Sequence, residues 1–195
     1  LPYTNTYQTP DGVMESSIGK ALAASGGDPV ILTETGYTTT DGHLYLGTSE
    51  QAQAKMILNN LFNAYENGSQ KTYLYELFNS TLSPDAGERN FGLFHGDGTP
   101  KPVAEAIHNL TRILSWGSSG DAVAPEEGSW SLNGKADALH SMALAKSDGV
   151  YDIVLWNDLR VWDMDAKKEF DLDLAPTRID FGSVQAVVYV YDPMQ

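Results

Sequence analysis

Glu34 stands at the end of the apolar run Val30-Ile31-Leu32-Thr33, immediately before Thr35-Gly36-Tyr37. If that run is a parallel strand, the carboxylate projects from its C-terminal end, where catalytic groups sit in barrels of alternating strands and helices. A carboxylate so placed can attack the anomeric carbon of a sugar, provided a second carboxyl about 5 Å away protonates the leaving oxygen. The same position suits a Glu that caps the next loop or pairs with a basic side chain. Glu76 lies near the end of a second strand-like run, Lys71 to Phe78. It can point into the same cleft, where a structural or substrate-binding role fits better than bond making. Tyr37, Tyr75 and Phe78 also fall at strand ends, where aromatic faces either stack on sugar rings or fill the core. His95 lies in the loop that follows the second run.

Other chemistry is poorly supported by residue type and spacing. The four histidines, at 43, 95, 108 and 140, show no paired spacing suited to a metal, so none is expected to bind one. Gly96-Asp97-Gly98 lacks the Lys-Ser or Lys-Thr of a phosphate loop and reads as a turn. Asp163, Asp165 and Glu169 cluster without the glycine and spacing of a calcium loop, so a solvated hairpin tip is expected. Asn67, Asn79 and Asn109 each begin a glycosylation tripeptide, a pattern that arises often by chance. With no cysteine, disulfides, thiolate metal sites and thiol nucleophiles are excluded.

The elements that must carry these residues follow from period and punctuation. Residues 11 to 25 place Met14, Ile18, Ala21 and Leu22 at helical spacing before Gly26-Gly27. The Pro29 to Thr33 run has no polar alternation, as in parallel strands buried on both faces. Thr48 and Gln51 form a candidate capping box. Ala54, Ile57, Leu58, Leu61 and Tyr65 then predict a helix that Gly68 ends. Thr99-Pro100-Lys101-Pro102 opens a third helix, with both prolines in its first turn. The order helix, strand, helix, strand, helix implies parallel strands with crossover connections. Beyond Ser115 the helical period disappears. Leu139 to Lys146 and Val150 to Trp156 flank the turn Ser147-Asp148-Gly149, and Val184 to Tyr191 reads as a further strand. The expected division is an α/β portion over residues 1–115 and an all-β portion, a sandwich, over 116–195. Trp116, Trp130, Trp156 and Trp162 fall at or beyond that boundary, where they either line a carbohydrate-binding face or anchor one portion on the other.

The chain has 195 residues, 42% of them hydrophobic, which predicts a folded protein. Twelve Lys and Arg against 26 Asp and Glu give a net charge of −14 with no basic run, so nucleic acid and anionic lipid are not expected partners. The longest apolar runs fall far short of the roughly 20 residues that span a bilayer.

Three stretches resemble the clan A glycoside hydrolases. Asp28 to Tyr37 is similar to the nucleophile strand, the seventh of eight in their (β/α)8 barrel. Tyr73 to Phe78, followed by Phe91-Gly92-Leu93-Phe94 and Asp97-Gly98-Thr99-Pro100-Lys101-Pro102, resembles strand eight and the start of helix eight in families 5 and 39. Leu139 to Asn157 resembles the β-sandwich appended to family 39-like barrels. The three lie in the right order and span nearly the whole chain.

This resemblance implies the last strands and helices of a TIM-type barrel followed by a β-sandwich, in a secreted or periplasmic retaining glycosidase. It implies Glu34 as nucleophile, Tyr37, Tyr75, Glu76, Phe78 and His95 as substrate contacts, and a carbohydrate substrate. No cofactor is required, because two carboxylates carry the chemistry. The clan's acid/base is the Glu of an Asn-Glu pair ending strand four, and no Asn-Glu occurs in this sequence. The expectation is that Leu1 falls after strand six and that the missing N-terminal part of the barrel supplies the acid. The rivals are a non-catalytic carbohydrate-binding or matrix protein on a barrel scaffold, and a self-contained chain that completes its sheet by association.

Overall fold

The computed structural model describes residues 9–40, 47–84, 87–115, 130–133, 138–146, 150–172, 176–182 and 187–195. Helix α1 (Pro10–Ser25) starts on a proline, whose missing N–H costs nothing in a first turn, and ends at Gly26 with φ 64°. Strand β1 (Val30–Thr35) follows, then α2 (Glu50–Glu66), β2 (Ser69–Leu74), a 3-10 turn (Gly87–Asn90) and α3 (Pro102–Ser115). β1 and β2 pair in parallel, joined through α2. No helix among the described residues is long and apolar enough to cross a membrane.

Helix α2 is the centre of the packing, lying against both α1 and α3. Met14 and Ile18 of α1 meet Val30, Leu32 and Ala64 in one small core. Tyr37, Ala54, Ile57, Leu58, Val103, Ala106 and Leu110 belong to the larger one. The cap differs by one residue from expectation. Ser49 Oγ accepts from the Ala52 N–H at 3.0 Å, while Thr48 is drawn away to Thr38, its N–H donating to the Thr38 carbonyl. Pro102 alone of the two prolines lies in α3; Pro100 bridges to Phe94 before the helix begins.

Two strands depart from expectation. β1 is buried on one face only: Val30, Leu32 and Thr35 point into the packed side, while Ile31 is 43% exposed and Thr33 is exposed beside it. Apolar composition alone did not reveal that the second face lacks a cover among the described residues. β2 ends at Leu74 because the chain then changes partner. The Tyr75 N–H still donates to the Thr35 carbonyl at 2.7 Å, but the Leu93 N–H donates to Glu76 O and the Phe94 N–H to Leu77 O. Residues 76–79 thus run beside 91–94.

After α3 the strands are antiparallel. β4 (Leu139–Ala145) and β5 (Tyr151–Asn157) form the expected hairpin in unbroken register, from Leu139 opposite Asn157 to Ala145 opposite Tyr151. The turn at 147–149 lies outside the described residues. β3 (Ser131–Asn133) pairs with β8 (Arg178–Asp180), and β6 (Trp162–Asp163) with β7 (Lys168–Glu169). The described pairs are two-stranded sheets rather than two stacked ones. The strand expected over Val184 to Tyr191 is not formed at 187–191, which is exposed; 183–186 lie outside the described residues. β-branched and aromatic composition needs a pairing partner to become a strand.

The second region sits on α2. Trp156 of β5 stacks on Phe62 at 5.4 Å, and its indole N–H donates to Asn63 Oδ1 at 2.6 Å. Val161, Trp162 and Met194 pack on the larger core. Lys55 pairs with Glu169 at 2.7 Å. Trp156 and Trp162 are therefore anchors between the regions; Trp116 lies outside the described residues.

Candidate active site

The site begins with the two parallel strand ends. Glu34 is half-buried near the end of β1, and Thr35 after it is fully buried, its hydroxyl accepting from Asn60 Nδ2 at 3.2 Å. Gly36 is dictated by the neighbouring strand. A Cβ there would fall 2.1 Å from the Tyr75 carbonyl oxygen, so a side chain would push apart the two chain segments that carry Glu34 and Glu76. The Tyr75–Glu76 peptide bond is cis.

Glu76 is half-buried, and its Oε1 is sealed from solvent without a hydrogen-bond partner among the described residues. Burial pushes its carboxyl above the usual range, outweighing the opposing pull of the Lys101 charge. Tyr75 lies 38% exposed with its ring edge-on to Phe91 at 5.6 Å, and Phe78 is exposed beside Phe94 at 5.4 Å. Glu34, Tyr75 and Glu76 are thus carried on adjacent strand ends, with Phe78 two residues beyond.

The other two expected contacts have partners within the protein. Tyr37 is 1% exposed in the core between α2 and α3, and its hydroxyl donates to Asn60 Oδ1 at 3.1 Å. It offers no ring face to a sugar; the chain turns inward after Gly36 and buries the aromatic. His95 lies at a tight turn, its N–H donating to the Thr99 carbonyl, with Nε2 3.4 Å from Glu50 Oε1 in the first turn of α2. That partner places it at the helix end. The Asp97 carboxylate accepts from the Thr99 N–H and hydroxyl, bonds that hold it below the usual range and close the turn read from Gly96-Asp97-Gly98.

The loops after β1 and β2 are joined by groups that sequence reasoning did not single out. Lys101 is fully buried, and its Nζ donates to Thr39 Oγ1 at 3.0 Å, Asn79 Oδ1 at 2.9 Å and the Asn90 carbonyl at 3.2 Å. Burial lowers its ammonium to about 8, against the opposing fields of Glu50 and Glu76. Asn79 Nδ2 donates to Asn90 Oδ1, and Asn90 Nδ2 to the Ser83 carbonyl. Gln53 donates to the Tyr37 carbonyl at 2.8 Å from within α2. Gln53, Asn60 and Asn63 recur at helical spacing along the same stripe as Ile57 and Ala64, the one sequence signal that marked them as inward-facing. The arrangement can hold two carboxyl groups at neighbouring strand ends beside an exposed aromatic edge.

No family model matches the chain, and no curated protein matches it. Among solved structures, its fold is similar to that of a family 39 glycoside hydrolase from the gut symbiont Bacteroides cellulosilyticus WH2, with TM-score 0.54 and 19% identity over 80% of this chain. The match covers 32% of that protein, so the chain spans about a third of its length. At this identity the likeness is one of fold: mixed helices and strands arranged as in part of a family 39 glycoside hydrolase.

Proposed function

We propose that this chain supplies the last two strand–helix units of a (β/α)8 barrel and the β-rich region behind it, within a retaining glycosidase acting on an oligo- or polysaccharide. Glu34 is the nucleophile in this reading. Its carboxylate attacks the anomeric carbon while an acid from the remainder of the barrel protonates the leaving oxygen, and water then releases the sugar from Glu34. Glu76, Tyr75 and Phe78 contact the sugar; Tyr37 supports Glu34 from behind, through Asn60 and Thr35. The observation that carries the reading is the placement of Glu34 near the C-terminal end of a strand paired in parallel with the strand that leads to Glu76, in a family 39-like fold. A secreted or periplasmic location accords with a polymeric substrate.

In the full-length protein, Glu34→Gln removes the attacking charge and nearly preserves shape. Turnover should fall by several orders of magnitude while sugar binding survives, and Glu76→Gln should act mainly on KM. A mechanism-based fluorosugar should label the peptide carrying Glu34. Labelling at Glu76, or near-normal turnover of Glu34→Gln, would overturn the assignment, and sugar binding without any turnover in the unmodified protein would favour the non-catalytic scaffold.

A further inference from the structure

Three elements far apart in sequence converge beneath the hairpin. Asp11 in the first turn of α1, Glu66 in the last turn of α2 and His140 in β4 can each offer one ligand atom, and these atoms lie within 4.8 Å of one another. His140 Nδ1 is 2.9 Å from Glu66 Oε2, and its Nε2 is 3.9 Å from Asp11 Oδ2. The first contact is a hydrogen bond at Nδ1; the second, at Nε2, is near the roughly 3.4 Å that separates two ligands on one tetrahedral zinc, so the Glu66 carboxylate has to turn from Nδ1 to share an ion with Asp11.

The ligands are held in place by groups around them. The His140 ring stacks on Trp156 at 5.2 Å and 25°, and Trp156 is itself pinned by Phe62 and Asn63. Asn67 Nδ2 donates to Asp11 Oδ1, leaving Oδ2 toward the imidazole. The Asp11 N–H donates to the Asp158 carboxylate, so a third carboxylate adjoins the group. Among the described residues, His140 is the one basic side chain within 4 Å of the Asp11 and Glu66 carboxylates.

We propose that Asp11, Glu66 and His140 bind a divalent transition-metal ion, zinc foremost, through one oxygen of each carboxylate and one imidazole nitrogen, with water completing the shell. A nitrogen donor and only three side chains suit zinc and not calcium, which takes six to eight oxygens. The ion ties the β4–β5 hairpin to α1 and α2, and so the second region to the first. The site is independent of the glycosidase reading, and each can fail alone.

The test uses the full chain, stripped with a chelator and titrated calorimetrically with zinc chloride and, separately, calcium chloride. Expected are one zinc per chain, no comparable calcium binding, and a rise in thermal midpoint with zinc. Asp11→Asn and His140→Gln should each weaken zinc binding at least tenfold, while His108→Ala, on the exposed face of α3, should leave it unchanged. Far-ultraviolet circular dichroism of the stripped variants, matched to the parent, makes the loss specific to the ligand. Cobalt substitution should give a visible absorption band that His140→Gln abolishes. Absence of zinc binding, or an affinity unchanged in both Asp11→Asn and His140→Gln, would overturn the proposal.

Discussion

Lys101 shows how a single buried charge can organise a loop region. Its ammonium satisfies three acceptors drawn from the loops after β1 and β2, yet burial holds it at about 8 rather than 10.5. Below pH 8 both folded and unfolded chains bind this proton, so the cost of the buried charge is present in full. Between about 8 and 10.5 the unfolded chain binds more protons than the folded one, and stability rises with pH. The expected gain is about 3 kcal/mol over that window. Urea titrations of the parent and of Lys101→Met across this range test it: the difference between the two should grow in favour of the parent from pH 8 upward, because other lysines and tyrosines cancel. A constant difference would mean that the ammonium is better solvated than its burial implies.

At the scale of elements, strand β1 and helix α2 set the position of Glu34. Gly36 lets β1 pass the Tyr75 carbonyl, and Asn60 anchors Thr35 and Tyr37 on either side of it. Gly36→Ala should therefore destabilise the chain by about 1–3 kcal/mol, as overpacking does. On the proposed glycosidase reading, Gly36→Ala in the full-length protein should also lower turnover, since relief of the clash separates the two strand ends. Asn63 plays the corresponding part toward β5, accepting from Trp156 Nε1 and donating to Asp158 Oδ1. Asn63→Ala leaves the buried Trp156 N–H without an acceptor, while Asp158 keeps the Asp11 N–H, with an expected loss of about 1–3 kcal/mol. Denaturant unfolding measures both, and a loss below 1 kcal/mol for Asn63→Ala would show that water reaches the pair.

At the scale of the molecule, the second region covers part of α2, while the outer face of the parallel pair has no cover among the described residues. Ile31, Tyr73, Leu77, Phe78 and Leu82 are all exposed on or beyond β1 and β2. Residues 1–115 expressed without the second region lose the cover that Trp156, Val161, Trp162 and Met194 provide. They should self-associate through apolar surface and the unpaired strand edges. Size-exclusion chromatography with light scattering reads the outcome, and a monodisperse monomer would contradict it.

The amino-acid sequence determined the local order of this protein: three helices placed by apolar stripes, glycine stops and a proline start, two parallel strands between them, and the hairpin read from the two runs that flank the turn signal Ser147-Asp148-Gly149. It also placed Glu34 and Glu76 at strand ends, because strand termination is written in neighbouring residues. Only the tertiary structure decided which side chains those ends expose. Tyr37 turns inward to Asn60, His95 goes to Glu50, and Lys101 disappears into the loops, all through contacts tens of residues distant in the chain. The same limit explains Val184 to Tyr191, whose composition is that of a strand, and the joining of Asp11, Glu66 and His140. Periodicity reports which face of an element is apolar, but not what lies against it.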